Sequence, residues 1–179
     1  MTVLLDRMPV SELATEVVVR GQRVRVRRNQ IIVWVTIKFS QQEGRNPRVA
    51  PFPAILDTGY THTFAIQERH LVEWAGLTPD VLPVIGAARE QGRRVSLHAT
   101  DIWVHRNHPG SHDRLTADRP YPVSAVQGIA VFPTGLDFPR LPLLGLRAIT
   151  ENGLVLKVNG HRREATLRTA YNWWPFAGR

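Results

Sequence analysis

The chain has 179 residues, no cysteine, and 23 lysines and arginines against 15 acidic residues, which gives a formal net charge of +8. The lack of cysteine excludes disulfides, thiolate metal sites and a cysteine nucleophile, and a hydrophobic content of 43% is enough for the core of one domain. Because no stretch has the ~18 consecutive apolar residues of a membrane helix and the start shows no signal-peptide pattern, we expect a cytoplasmic protein with no membrane span.

The positive charge is almost entirely arginine, and its densest cluster lies at residues 20–28. A basic surface of this kind can bind nucleic acid, an anionic surface or an acidic partner. Helix-turn-helix, zinc-finger and RNA-recognition signatures are all lacking, which argues against nucleic acid as the partner. Val24 and Val26 alternate with arginines, so this cluster predicts a strand with one arginine face.

The first third of the chain predicts mainly β structure. Residues 1–15 fit either a short helical turn or a loose leader. Two valine-rich runs then flank Gly21 and Gln22, a pair typical of a two-residue hairpin turn. Residues 31–39 are almost continuously apolar and β-branched, which predicts a central strand covered on both faces. Residues 40–53 are rich in polar residues and proline and predict a loop.

An apolar run at residues 54–56 predicts a buried strand that ends at Asp57. A carboxylate in this position is costly unless it is hydrogen-bonded, paired or used in chemistry. Thr58 and Gly59 follow directly, and the glycine permits a tight turn. Taken alone, these three residues fit an ordinary turn as well as a catalytic acid.

Residues 68–76 carry the one pattern that predicts a helix, with Gly76 as its C-terminal stop. Residues 84–104 predict a long β-hairpin with its tip near Gln91 and Gly92. A polar loop at 105–122 and a strand at 123–132 follow.

The C-terminal third begins with a proline-rich turn at residues 133–142, and a second apolar run, Leu143-Leu144-Gly145, follows it. Two Asn-Gly pairs, at 152–153 and 159–160, bracket a further predicted strand. The tail at 170–179 is aromatic, and it could pack on its own domain, join a dimer interface or occupy a cleft.

The order of these features resembles a retropepsin-like aspartic protease, the single-domain, homodimeric branch related to retroviral proteases. The resemblance rests on Asp57-Thr58-Gly59, the glycine-tipped hairpin and the later Leu143-Leu144-Gly145. It covers residues 30–169, which leaves residues 1–29 as an N-terminal extension and residues 170–179 as a tail. It implies a mainly β fold, a closed acid-protease barrel with one short α-helix and a flap hairpin.

The resemblance also implies a role for each matching residue. Asp57 matches the catalytic aspartate, and Thr58 the residue whose hydroxyl crosses to the partner chain. Gly59 and Tyr60 match substrate-binding positions of the active-site loop, and the flap tip, here Gln91 and Gly92, closes over the peptide. The second motif threads behind the loop that carries the aspartate; it comprises Leu143, Leu144 and Gly145.

Three positions depart from the pattern of the family. Tyr60 stands where the family usually has alanine or serine, next to a substrate pocket. Retroviral members have an acid two residues after the first glycine and an arginine directly after the later one, where this chain has Thr61 and Leu146. Both partners of that ion pair are absent together, which fits a divergent branch.

The chemistry implied by the resemblance needs two chains, because one Asp-Thr-Gly cannot supply both an acid and a base around a single water. A twofold dimer brings Asp57 and its symmetry mate together, where two close carboxylates share one proton. The sequence therefore predicts a homodimeric aspartic endopeptidase that cleaves a peptide or protein substrate between apolar side chains. No cofactor and no metal are implied.

Several alternatives remain open from the sequence. The same fold could be a catalytically weak or inactive binding module with a basic surface. His105, His108, His112 and Asp113 could bind a metal, although their Pro- and Gly-containing segment favours a solvated loop. His62 could tune the acid pair or form a structural hydrogen bond. Asp101 and Asp137 belong to no motif.

Overall fold

The computed structural model describes residues 1–38, 50–90 and 92–170. This part of the chain is mainly β, as predicted, with fourteen strands and short helical segments. Most of the predicted 40–53 loop, the hairpin-tip residue Gln91 and all but the first residue of the 170–179 tail lie outside the described residues.

The strands are β1 (Val3–Pro9), β2 (Thr15–Val19), β3 (Gln22–Val26), β4 (Ile31–Lys38), β5 (Phe52–Asp57), β6 (Phe64–Gln67), β7 (Val84–Glu90), β8 (Arg93–His98), β9 (Asp101–His105), β10 (Tyr121–Val123), β11 (Ile129–Phe132), β12 (Leu143–Gly145), β13 (Leu154–Asn159) and β14 (Glu164–Thr169). The helical segments are α1 (Glu68–His70), a π-helical turn (Leu71–Ala75), a 3-10 turn (Pro79–Val81) and α2 (Leu146–Thr150). Among the described residues, no helix is long and apolar enough to cross a membrane.

Nine strands form the central sheet, in the order β10-β9-β4-β5-β12-β6-β11-β8-β7. The pairing is linear, with β10 and β7 at the two edges of the described sheet, so it does not establish the closed barrel that the resemblance implies. β4 lies inside this sheet between β5 and β9, and residues on both of its faces are buried, among them Ile32, Val33 and Thr36, as its almost continuously apolar sequence predicts.

Residues 1–15 form neither a helical turn nor a loose leader. They include β1, which pairs with β14 in a three-stranded sheet of order β1-β14-β13. Leu4, Leu5 and Met8 on β1 are buried. The apolar pattern of β1 does not predict a strand, because register irregularities break the regular alternation of inward and outward residues. The next two strands form the hairpin predicted around Gly21.

The predicted helix at 68–76 is present, but most of it has π-helical hydrogen bonding. α1 runs directly into the π-helical turn, and Gly76 ends it in the left-handed conformation with a φ of 68°. Leu71 and Trp74 are buried, and Val72 is exposed. A π turn places side chains at a different angular spacing from an α-helix, which the apolar pattern alone does not reveal.

The hairpin predicted at 84–104 is shorter in the structure. β7 and β8 form a hairpin that ends at His98, and the chain then crosses to pair β9 with β4 and β10. The hydroxyl of Thr100 donates a hydrogen bond to the carbonyl of Lys38 at 2.8 Å, which fixes this crossing. Every residue of β7 is at least partly exposed, whereas Val95 and His98 of β8 are buried, so β7 forms the exposed edge of the hairpin.

The strand predicted at 123–132 is two strands. β10 and β11 lie far apart in the sheet order, and residues 124–128 turn between them. Gly128 makes this turn with a φ of 79°, a conformation that a strand residue with a side chain rarely adopts.

β12 inserts between β5 and β6, and this insertion positions the candidate site. It runs parallel to β5 and antiparallel to β6. Leu143 and Leu144 are buried in the core, at 7% and 0% exposure. Because β5 and β6 are joined by residues 58–63, the short strand passes directly behind the turn that follows Asp57.

Candidate active site

Asp57 ends β5, and its backbone and side chain are both held by the turn that follows. The preceding residues of β5 are buried, whereas Asp57 itself is half-buried. The Gly59 N–H donates to Asp57 Oδ1 at 2.9 Å, and the Tyr60 N–H donates to the Asp57 carbonyl at 3.2 Å. The carboxylate is therefore oriented by one backbone donor while its other acceptor positions remain available.

The second motif lies directly behind this turn. Gly145 is opposite Asp57 in the parallel pairing of β12 with β5. Its N–H donates to the Thr63 carbonyl at 3.0 Å, and the Leu146 N–H donates to the Tyr60 carbonyl at 2.7 Å. A Cβ at Gly145 would lie 2.6 Å from the Tyr60 carbonyl oxygen and closer still to that of His62. The turn packs so tightly on β12 that only glycine fits there.

Thr58 and Gly59 form the exposed tip of the turn. The exposed hydroxyl of Thr58 makes no hydrogen bond to any described residue. Asp57-Thr58-Gly59 and Leu143-Leu144-Gly145 are thus adjacent in the structure. The roles assigned to Thr58 and Gly59 remain predictions.

Tyr60 lies beneath the turn, with 6% of its surface exposed. Its ring packs against His62 and Phe138, at centroid distances of 5.6 and 6.5 Å. Burial, together with the negative charge of Glu90, raises the pKa of the Tyr60 hydroxyl above its ordinary value. That hydroxyl is buried without a hydrogen-bond partner among the described residues. Tyr60 therefore affects the site indirectly, because it packs against Phe138, which lines the cleft beside Asp57.

One close polar contact joins the β7–β8 hairpin to the turn that follows Asp57. His62 Nε2 lies 2.7 Å from Glu90 Oε1, and the two side chains are only 23% and 16% exposed. A structural hydrogen bond is one of the two roles predicted for His62, and Glu90 is its partner. Gly92, in the turn of the hairpin, is exposed and has a φ of 78°, and the predicted substrate-binding residue Gln91 lies outside the described residues.

A cleft of about 240 Å³ opens beside Asp57. Its lining comes from β5, β12, the residues after β3 and the loop that precedes β12: Arg27, Gln30, Ile55, Asp57, Asp137, Phe138, Pro139, Arg140, Leu141 and Leu143. Asp137, which belongs to no sequence motif, shares this cleft with Asp57. The sequence signal for Asp137 is its place in the chain: it lies in the segment that leads into β12, and β12 pairs with the strand that carries Asp57.

The histidine-rich loop has its own hydrogen bonds. His105 Nε2 lies 3.2 Å from the Thr36 hydroxyl, and burial lowers the pKa of His105 to about 4. Ser111 donates to Asp113 at 2.8 Å, and this hydrogen bond lowers the pKa of Asp113. Within the described ranges, no group of three or more His, Asp or Glu side chains is arranged to hold a metal ion.

Comparisons with protein-family models, curated proteins and solved structures find no match to this chain. The features that indicate a function are therefore the turn at Asp57, β12 behind it and the cleft beside it.

Proposed function

We propose that this protein is a cytoplasmic, homodimeric aspartic endopeptidase with a retropepsin-like fold. The observation that carries the proposal is the position of Gly145 opposite Asp57, with β12 threaded behind the Asp-Thr-Gly turn. An ordinary turn needs no such support. A catalytic carboxylate does, because its orientation must be held to within a fraction of an ångström.

Two features support a dimer. The exposed Thr58 has a hydroxyl without a partner in the described chain, as expected of a residue that bonds to its symmetry mate. The cleft of about 240 Å³ is also smaller than the roughly 300–1,000 Å³ of typical ligand sites, as expected of half a site. A twofold axis beside Thr58 would join two such clefts and bring the two Asp57 carboxylates together.

The chemistry follows from two carboxylates about 3 Å apart, which cannot both ionise and so share one proton. The ionised carboxylate takes a proton from a water molecule, the water attacks the scissile carbonyl, and the protonated carboxyl donates to the developing oxyanion. The β7–β8 hairpin serves as the flap that covers the peptide. Because the reaction needs one protonated and one ionised group, activity should be bell-shaped in pH, on the acidic side of neutral.

The test is Asp57→Asn, assayed with a quenched peptide library that has apolar side chains at its centre. We expect cleavage to fall by at least 1,000-fold, on the order of the loss when an essential catalytic group is removed. Melting temperature and dimer mass by analytical ultracentrifugation should be unchanged. Asp101→Asn is the matched control, since it removes an exposed carboxylate from β9 and should leave cleavage intact. Cleavage that survives Asp57→Asn would disprove the assignment.

The rival function is a binding module on the same fold, which the arginine cluster at 20–28 favours. A peptidomimetic with a hydroxyl in place of the scissile bond distinguishes the two. It should bind an active dyad at least 100-fold more tightly than the parent peptide, because it resembles the tetrahedral intermediate. A binding module would gain little from the hydroxyl.

A further inference from the structure

A second cleft, rich in arginine, lies beside the candidate active site. This outer cleft has a volume of about 300 Å³ and lies between β3 and the helical segment at 68–75. Four arginines line it: Arg23, Arg25, Arg69 and Arg140. Among the described residues of its lining, Glu73 is the one acid, so the cleft has a strongly positive potential.

Most of this charge is free to bind a ligand. Arg25, Arg69 and Arg140 are exposed and form no ion pair with a described carboxylate. Arg23 lies 3.7 Å from Glu16, but these side chains are 80% and 57% exposed, so their pairing is weak. The fork of an arginine side chain matches a carboxylate group through two parallel hydrogen bonds.

The outer cleft continues into the cleft beside Asp57. The two clefts share Arg140 and Leu141. Arg140 is held at this junction because its Nη2 donates to the Arg25 carbonyl at 2.7 Å. The β3 segment borders both clefts, with Arg25 on the outer one and Arg27 on the inner one. A peptide that leaves the Asp57 cleft on this side therefore passes along a row of arginines.

We propose that the outer cleft binds an acidic segment of the peptide substrate, on one side of an apolar cleavage site. The cleavage itself rests on the function proposed above, whereas binding of the acidic segment does not need Asp57. Several Asp or Glu residues in succession would place carboxylates beside Arg25, Arg69 and Arg140, since an extended chain advances about 3.3 Å per residue.

The lining favours a peptide over a nucleic acid. Single-stranded nucleic acids are held by aromatic side chains on which bases stack, as well as by positive charge. Trp74 is the aromatic residue of the described lining, and it is only 3% exposed, with one face covered by the His70 ring at 4.0 Å. The described lining of the outer cleft therefore offers positive charge without an exposed aromatic ring.

The first experiment measures binding to the Asp57→Asn protein, so that no peptide is cleaved. Two fluorescein-labelled peptides share an apolar centre and differ in one flank, which carries four glutamates or four glutamines. We expect the glutamate peptide to bind about 3- to 30-fold more tightly, which corresponds to a few exposed ion pairs. The difference should shrink at high salt, because exposed charges are then screened.

The second experiment adds Arg25→Gln and Arg69→Gln, which change exposed residues that line the outer cleft alone. This double variant should lose most of the preference for glutamate and bind the glutamine peptide as before. Arg114→Gln with Arg119→Gln is the matched control, because it removes the same charge at exposed positions outside both clefts. In the active enzyme, kcat/KM for the glutamate peptide should fall by the same factor, with no change for the glutamine peptide.

Three results would overturn the inference: equal binding of the two peptides, a preference that survives Arg25→Gln with Arg69→Gln, or displacement of the glutamate peptide by a single-stranded oligonucleotide that binds more tightly. The comparison of the two peptides needs no arginine variant, so it tests the inference even if the double variant misfolds. If the unmutated protein cleaves neither peptide while the glutamate peptide still binds selectively, the proposed function is refuted and the acidic-segment site is supported.

Discussion

Replacement of Gly145 by alanine should destabilise the protein strongly. The added methyl group would lie 2.6 Å from the Tyr60 carbonyl oxygen, 2.8 Å from the Tyr60 ring and closer still to the His62 carbonyl oxygen. Overpacking of this kind costs about 1–3 kcal/mol, and more where backbone atoms must move. Relief of the clash would also break the hydrogen bonds from Gly145 and Leu146 to the turn, at about 1 kcal/mol each.

We therefore expect Gly145→Ala to lower the free energy of unfolding by about 3–5 kcal/mol, which is a fall of roughly 6–20 °C in melting temperature for a chain of this size. Differential scanning calorimetry and urea unfolding at neutral pH measure it. Gly160→Ala is the matched control, because a Cβ there would meet nothing within 4 Å and its φ is not positive. If the two variants melt within about 2 °C of each other, β12 does not pack against the turn as described.

Three further predictions concern the residues around the site. Glu90→Gln weakens the contact with His62, so amide hydrogen exchange across residues 84–98 should accelerate about fivefold, equivalent to ~1 kcal/mol. Unchanged exchange would mean that this contact does not hold the hairpin. Tyr60→Phe removes a buried hydroxyl without a described partner, so the melting temperature should stay the same or rise, and a loss of more than about 1 kcal/mol would reveal a hydrogen bond to that hydroxyl. Burial, aided by the charge of Arg69, lowers the pKa of His70 from 6.5 to about 4. As the pH falls, the unfolded chain therefore binds the proton before the folded chain does. The free energy of unfolding should be at its maximum above pH ~6.5 and fall by on the order of 2–3 kcal/mol as the pH drops towards 4. His70→Phe should flatten that fall in urea titrations at pH 7 and about pH 4.5, and an equally steep fall in this variant would assign the loss to other groups.

Sequence reasoning succeeded where the signal is local. The continuous apolar run of β4, the Gly21 hairpin turn and the stop at Gly76 each depend on a few neighbouring residues. It failed where partners distant in the chain decide the structure. The sequence does not predict β1, because its position is set by pairing with β14, at the other end of the described chain.

The candidate site divides in the same way. Asp57-Thr58-Gly59 and Leu143-Leu144-Gly145 could be singled out from the sequence through their order and spacing, which resemble those of a retropepsin-like protease, because each motif alone is too short to be specific. The contact of His62 with Glu90 and the position of Asp137 in the cleft carry no local signal. Both depend on side chains brought together from separate loops.

The sequence by itself determined a mainly β chain, one acid after a buried strand and a surface rich in arginine, since these follow from composition and short-range pattern. Tertiary structure alone decided that β12 lies between β5 and β6, that Gly145 faces Asp57, and that Arg25, Arg69 and Arg140 line one cleft. The physical reason is that strand order and cleft lining depend on pairing between distant segments, which hydrophobic periodicity does not encode.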